Sequence, residues 1–198
     1  DIHASVEIWN FFARHNHPDP APLPRLLDLT LEHQDSTRKY LLYIPADYDG
    51  SEPWPLVVNM HGAANDRFIQ MIGSGMNQVA DTGHFLVVYP EATLAQDPVL
   101  GLAPFWNPQM LPNRPDDIAF LDELIGTLTE EWNIDETRVY ACGMSQGGVM
   151  SYLLACNLPD RLAAIASVAG ALILNIDWTC TADRPMPLLH IHGANDLV

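Results

Sequence analysis

Positive charge is scarce in this sequence. Lys39 is its only lysine, and 9 Lys+Arg face 25 Asp+Glu, a formal charge of −16 at pH 7 with histidine neutral. A surface of that sign repels phosphate backbones and anionic headgroups, so neither nucleic acid nor a membrane is expected as a partner. Charged residues reach only 17% of the chain, against roughly 25% in ordinary domains, so the acidity comes from missing lysine as much as from added carboxylate. Long apolar runs are absent too. None approaches the roughly 20 residues of a membrane span, and no basic stretch precedes an apolar one at the start, which excludes a membrane helix and an intact signal peptide. Because the first residue is Asp1 rather than Met, the chain reads as a processed or cut product, and a signal removed earlier stays open. Cysteine is limited to three residues with no C-x-x-C spacing. That excludes zinc ribbons and thioredoxin-like sites and allows one bridge with one thiol over. No internal repeat is present, and the proline-rich residues 16–24 are the only biased segment.

The 198 residues, 48% of them hydrophobic, suit one domain with a sizeable core. Ala4, Ile8, Phe11 and Phe12 fall at helical spacing and predict an amphipathic helix over residues 1–15. Four prolines then make 16–24 an extended linker. Residues 26–31 and 39–44 read as an antiparallel pair around the polar turn 33–37. From residue 55 onward, short continuous apolar runs alternate with longer helical stretches. Strands are expected at 55–60, 85–89, 138–142, 163–168 and 188–191, and helices at 68–80, 118–132 and 147–155. Continuous apolar runs mean burial on both faces, hence an α/β fold with a mostly parallel sheet, helices on both faces and an antiparallel start. Residues 91–115 form an irregular excursion of the kind that contacts ligands.

Gly143-Met144-Ser145-Gln146-Gly147 is a G-x-S-x-G between a strand and a helix. The glycines let a tight turn pass close to neighbouring backbone, which raises the Ser145 hydroxyl above the strand ends and turns the Gln146 N–H toward the same site. His61-Gly62-Ala63-Ala64 follows the strand 55–60, and its glycine lets the Ala63 N–H face a developing oxyanion. Ala63 and Gln146 are therefore the expected oxyanion pair. His61 itself is read as ordering that loop by hydrogen bonding rather than as a base. Asp116 and Asp117 precede an apolar-periodic helix and read as its cap and dipole partners. His190 and His192 share one face of a strand, but a zinc cluster of the form His-x-His-x-Asp-His would need Asp where Ala194 stands, so no metal is expected.

These residues resemble the extracellular polyhydroxybutyrate depolymerase-like and feruloyl esterase-like α/β-hydrolases. The likeness runs through MHG at Met60, VVYPE at Val87, FW at Trp106, DDIAFLDELI from Asp116 and D-x-x-RVY from Asp135. It continues through GMSQGGVMSYLLAC from Gly143, PDRLAAIASVAG from Pro159 and PMPLLHIHGANDLV from Pro185. The resemblance implies carboxylic ester hydrolysis through an acyl-enzyme at Ser145 with Asp196 as the triad acid, in the order serine, acid, histidine, and no cofactor. Neutral feruloyl-type or hydroxyalkanoate esters, small or polymeric, are the expected substrates, with Trp106 and Phe105 supplying an apolar wall. Cys156 and Cys180 flank one strand and its return loop and can meet in a disulfide, while Cys142 reads as a buried thiol. That bridge indicates a secreted or periplasmic protein.

In the family the catalytic histidine follows the acid in a Gly-Gly-His-x-Trp-like loop. None of His3, His15, His17, His33, His61, His84, His190 or His192 has that context. The segment ASVEIWNFFARH from Ala4 resembles the family's final helix, here placed before the first strands. A circular permutation, a junction between tandem hydrolase units, or a chain continuing past these residues would each give this order. Residues 1–198 then form one domain, with 1–15 the displaced helix packing Ile8, Phe11 and Phe12 against the sheet, 16–24 the linker and 25–198 the hydrolase core. At about 3.1 Å per residue the linker reaches roughly 28 Å, enough to cross one face of a domain. A hydrolase-fold pseudoenzyme or binding module lacking the catalytic histidine is the alternative.

Overall fold

Two antiparallel strands open the sheet, β1 (Arg25–His33) and β2 (Ser36–Ile44), longer than the apolar runs alone predict and joined at Gln34 and Asp35, where Gln34 takes φ 51°. They belong to a computed structural model that describes residues 23–171, 180 and 184–196. The expected opening helix, most of the proline-rich linker and the packing of Ile8, Phe11 and Phe12 lie outside the described residues.

The chain continues through β3 (Trp54–Met60), α1 (Arg67–Ser74), α2 (Met76–Gly83), β4 (Leu86–Pro90), the hairpin β5 (Leu94–Asp97) and β6 (Gly101–Pro104), and α3 (Asp117–Glu131). It ends with β7 (Ile134–Met144), α4 (Gln146–Asn157), β8 (Ala164–Val168) and β9 (Leu188–Ile191). The single helix expected over 68–80 is two helices, because Gly75 adopts φ 61° and ends α1 in the left-handed region that favours glycine. The excursion 91–115 carries the small β5–β6 hairpin.

Strand order in the main sheet is β1-β2-β4-β3-β7-β8-β9. β2 pairs antiparallel with β4, and all later pairings are parallel. Side chains alternate between two cores along the central strands. Tyr40, Leu42 and Ile44 of β2 and Leu86 and Val88 of β4 pack with Phe120, Leu124, Leu128, Met150 and Leu154 from α3 and α4. Leu41, Tyr43, Val87 and Tyr89 meet Met71, Met76 and Ala80 from α1 and α2. An unbroken apolar run is what a strand covered on both faces requires.

From β3 the chain steps to β4 on one side and later returns to β7 on the other. The loops leaving β3 and β7 therefore diverge at a switch point of the sheet, where open α/β sheets form a crevice. Among the described residues no helix is long and apolar enough to cross a membrane.

Candidate active site

Ser145 stands alone between β7 and α4 with φ 53° and ψ −116°, a conformation a non-glycine residue holds only when its surroundings impose it. Here they do. Its N–H donates to the Val168 carbonyl at 2.8 Å, and its own carbonyl accepts from the Val149 N–H at 3.0 Å. A Cβ on Gly143 would stand 2.5 Å from the Gly147 carbonyl carbon and 2.7 Å from the Met60 oxygen, and one on Gly147 would overlap that oxygen. Both glycines are thus required by close approach, and the serine side chain is left exposed above the strand ends.

The loop after β3 runs directly against Ser145: a Cβ on Gly62 would lie 3.4 Å from its Cβ. Within that loop the Ala64 N–H donates to Pro104 at 2.9 Å and the Asn65 N–H to Gly62 at 3.2 Å, whereas the Ala63 N–H has no acceptor among the described residues. Gln146 is the first residue of α4, where a backbone N–H has no intrahelical partner and the helix dipole favours negative charge.

His61 is fully buried. Its Nε2 accepts the Ala92 N–H at 3.0 Å, so the ring proton sits on Nδ1 and is donated to the Gly62 carbonyl at 2.7 Å. Desolvation pushes its pKa down, opposed by that bond to Gly62. With both nitrogens engaged, the ring orders the loop.

Trp106 corrects an expectation. Its exposure is 0%, and its indole N–H donates to the His61 carbonyl at 2.9 Å, so it forms no open wall beside substrate. A ring this large is held inside once its single polar atom has a partner there. Phe105 is buried as well.

Asp196 lies in the turn after β9, its N–H donating to Gly193 at 3.1 Å and its Oδ2 3.4 Å from His192 Nε2. A cleft of about 490 Å³ is lined by Ser145, Gln146 and Asp196 together with Pro108, Gln109, Val149 and Ala169 to Ala171. His192 is not in its wall. His190 is directed elsewhere, Nδ1 lying 2.7 Å from the Tyr152 hydroxyl. Among the described residues no group of three or more His, Cys, Asp or Glu is placed to hold a metal.

The family model described as esterase PHB depolymerase matches residues 38–186. The chain belongs to that family. A probable feruloyl esterase C of Aspergillus niger is 30% identical over 167 residues, covering 84% of this chain and 57% of the relative. A bifunctional acetylxylan esterase/xylanase of Neocallimastix patriciarum is 29% identical over 188 residues, covering 95% of this chain and 26% of the relative. The chain thus spans about a quarter and under three fifths of the length of these two relatives. Among solved structures, a thermostable esterase superposes with a TM-score of 0.62 at 23% identity, covering 87% of this chain and 48% of the other. The fold is that of the α/β-hydrolases.

For this esterase-family member the structure brings Ser145, Gln146 and Asp196 into one cleft with the Ala63 loop against it, and sets Trp106 behind it. Cys156 and Cys180 form a disulfide with Cα atoms 4.9 Å apart. Two features escaped sequence reasoning. The Gln146 side chain brackets Trp106, its Oε1 accepting the Trp106 N–H at 2.9 Å and its Nε2 donating to the Trp106 carbonyl at 3.3 Å. Asp116 caps α3 as expected, accepting from the Ile118 and Ala119 N–H groups, but Asp117 instead turns inward to Arg38. The acidic doublet was the available signal; its split could not be read locally.

Proposed function

We propose that this chain carries the nucleophile, oxyanion hole and acid of a serine carboxylic ester hydrolase. The observation that carries the reading is the forced backbone of Ser145 at the mouth of a cleft that also holds Asp196. Ser145 Oγ attacks the ester carbonyl carbon, and the N–H groups of Ala63 and Gln146 stabilise the resulting oxyanion. The base takes the Ser145 hydroxyl proton during attack and gives it to the departing alcohol as the intermediate collapses, leaving an acyl-serine that water, deprotonated by the same base, then hydrolyses to the free acid and serine. The base is a histidine oriented by Asp196. Among the described residues no histidine lines the cleft, and on this reading the base lies outside the described residues.

The expected result is that Ser145→Ala lowers hydrolysis of para-nitrophenyl acetate by the full gene product about 10³-fold or more while the circular dichroism spectrum is unchanged. Hydrolysis at the parent rate in that variant would overturn the assignment.

For substrate we propose neutral esters of feruloyl or hydroxyalkanoate type. The relatives named above as feruloyl and acetylxylan esterases support this, as do the apolar cleft residues Val149, Ala169 and Ala171. Turnover of methyl ferulate or hydroxybutyrate oligomers is expected; activity confined to emulsified long-chain lipid contradicts it. The disulfide supports export to an oxidising compartment, secreted or periplasmic.

A further inference from the structure

Four consecutive residues, Pro104 to Asn107, strap the two sides of the oxyanion hole together. Pro104 accepts the N–H of Ala64, next to the first donor, at 2.9 Å. Trp106 donates its indole N–H to His61 at 2.9 Å and exchanges both backbone groups with the Gln146 side chain at 2.9 and 3.3 Å. Asn107 donates its N–H to Asp117 Oδ2 at 2.7 Å. Two ionisable side chains hold the strap: Arg114 donates to the Phe105 carbonyl at 2.6 Å, and Asp117 takes the Asn107 N–H; of the two, only Asp117 is sealed in the core. Asp117 Oδ1 takes Arg38 Nη2 at 2.7 Å, both side chains are 1% exposed, and the guanidinium sits 3.8 Å over the Phe120 ring. The same Arg38 nitrogen donates at 3.2 Å to the carbonyl of Glu91. The next residue, Ala92, holds His61 from behind.

We propose that Asp117 is a positioning residue for ester hydrolysis, setting the separation of the Ala63 and Gln146 N–H donors by anchoring the Pro104–Asn107 strap; this rests on Ser145 being the nucleophile. A buried ion pair adds little net stability compared with apolar side chains of similar size. A charge-assisted bond to one backbone N–H, however, fixes where that peptide lies. Donors of an oxyanion hole act only when they sit about 2.7–3.1 Å from the developing charge, so a strap that drifts weakens the transition state more than substrate binding.

The test uses the full gene product and a neutral para-nitrophenyl ester, with three variants: Asp117→Asn, the apolar replacement Arg38→Met/Asp117→Leu, and Ser145→Ala. Asp117→Asn and the double variant are each expected to lower kcat about 10–100-fold with KM within about twofold, a fraction of the loss from removing a donor outright. The double variant leaves the buried Asn107 N–H without its acceptor, so its melting temperature is expected to fall modestly, and the loss in kcat at constant KM with an unchanged circular dichroism spectrum separates positioning from simple support of the fold. If Asp117→Asn does not fold, the double variant decides alone. Wild-type kcat in a folded variant, or a rise in KM at constant kcat, overturns the proposal while an inactive Ser145→Ala leaves the hydrolase reading standing. An active Ser145→Ala removes both.

Discussion

His61 and Cys142 are both titratable and both held in their neutral forms, with opposite consequences for pH. Burial lowers the His61 pKa from its ordinary 6.5, so below that pH the unfolded chain takes up a proton the folded chain refuses. Its contribution to stability is complete above about pH 6.5 and is lost as pH falls toward the depressed folded value. The melting temperature should drop between pH 7 and pH 5, and less so in His61→Asn; an equally steep drop in both proteins contradicts the assignment. Cys142 keeps some exposed surface, yet desolvation of its sulfur pushes the thiol up to about 12. Almost no thiolate exists at neutral pH, and thiolate is the reactive form. Alkylation of the non-reduced protein followed by peptide mapping should therefore leave Cys142 unlabelled in the native state and labelled after denaturation. Labelling of Cys156 and Cys180 after denaturation would show that they are not bridged.

Adjacent carboxylates at the start of α3 separate what a sequence shows from what it hides. Asp116 is a local feature: a helix-starting residue whose carboxylate meets N–H groups two and three residues on. Asp116→Ala should cost about 1 kcal/mol of stability with kcat retained, measured by chemical denaturation; a large kcat loss would mean the two aspartates share a role. Asp117 looks identical in sequence, but its partner Arg38 is 79 positions away, and no local pattern announces it. The same division runs through the fold. The strands at β3, β4, β7 and β8 and the Ser145 turn were legible because apolar runs and G-x-S-x-G are short-range patterns. Trp106 was placed wrongly because its fate depends on a carbonyl 45 residues earlier, and the break at Gly75 because one glycine inside an apolar-periodic stretch does not say whether a helix continues.

At the scale of the molecule, these residues carry a formal charge of −16 and the cleft contains Asp196, so anionic substrates are expected to meet repulsion on approach. Raising ionic strength from about 0.01 to 0.15 M shortens the screening length from about 30 to 8 Å. kcat/KM should then rise for an ester bearing a carboxylate and stay level for a neutral one; equal salt dependence contradicts the neutral-substrate reading. The disulfide joins the end of α4 to the segment before β9, and closing that 24-residue separation contributes about 3.5 kcal/mol in the chain-entropy model. It ties the helix that carries Gln146 to the strand that leads to Asp196. The proposed hydrolysis turns on Ser145 as nucleophile. Its most direct test is to treat the full gene product with a fluorophosphonate and locate the adduct by peptide mass spectrometry. One adduct per chain on Ser145, absent in Ser145→Ala, is the predicted result, and an adduct on another residue that persists in Ser145→Ala would contradict it.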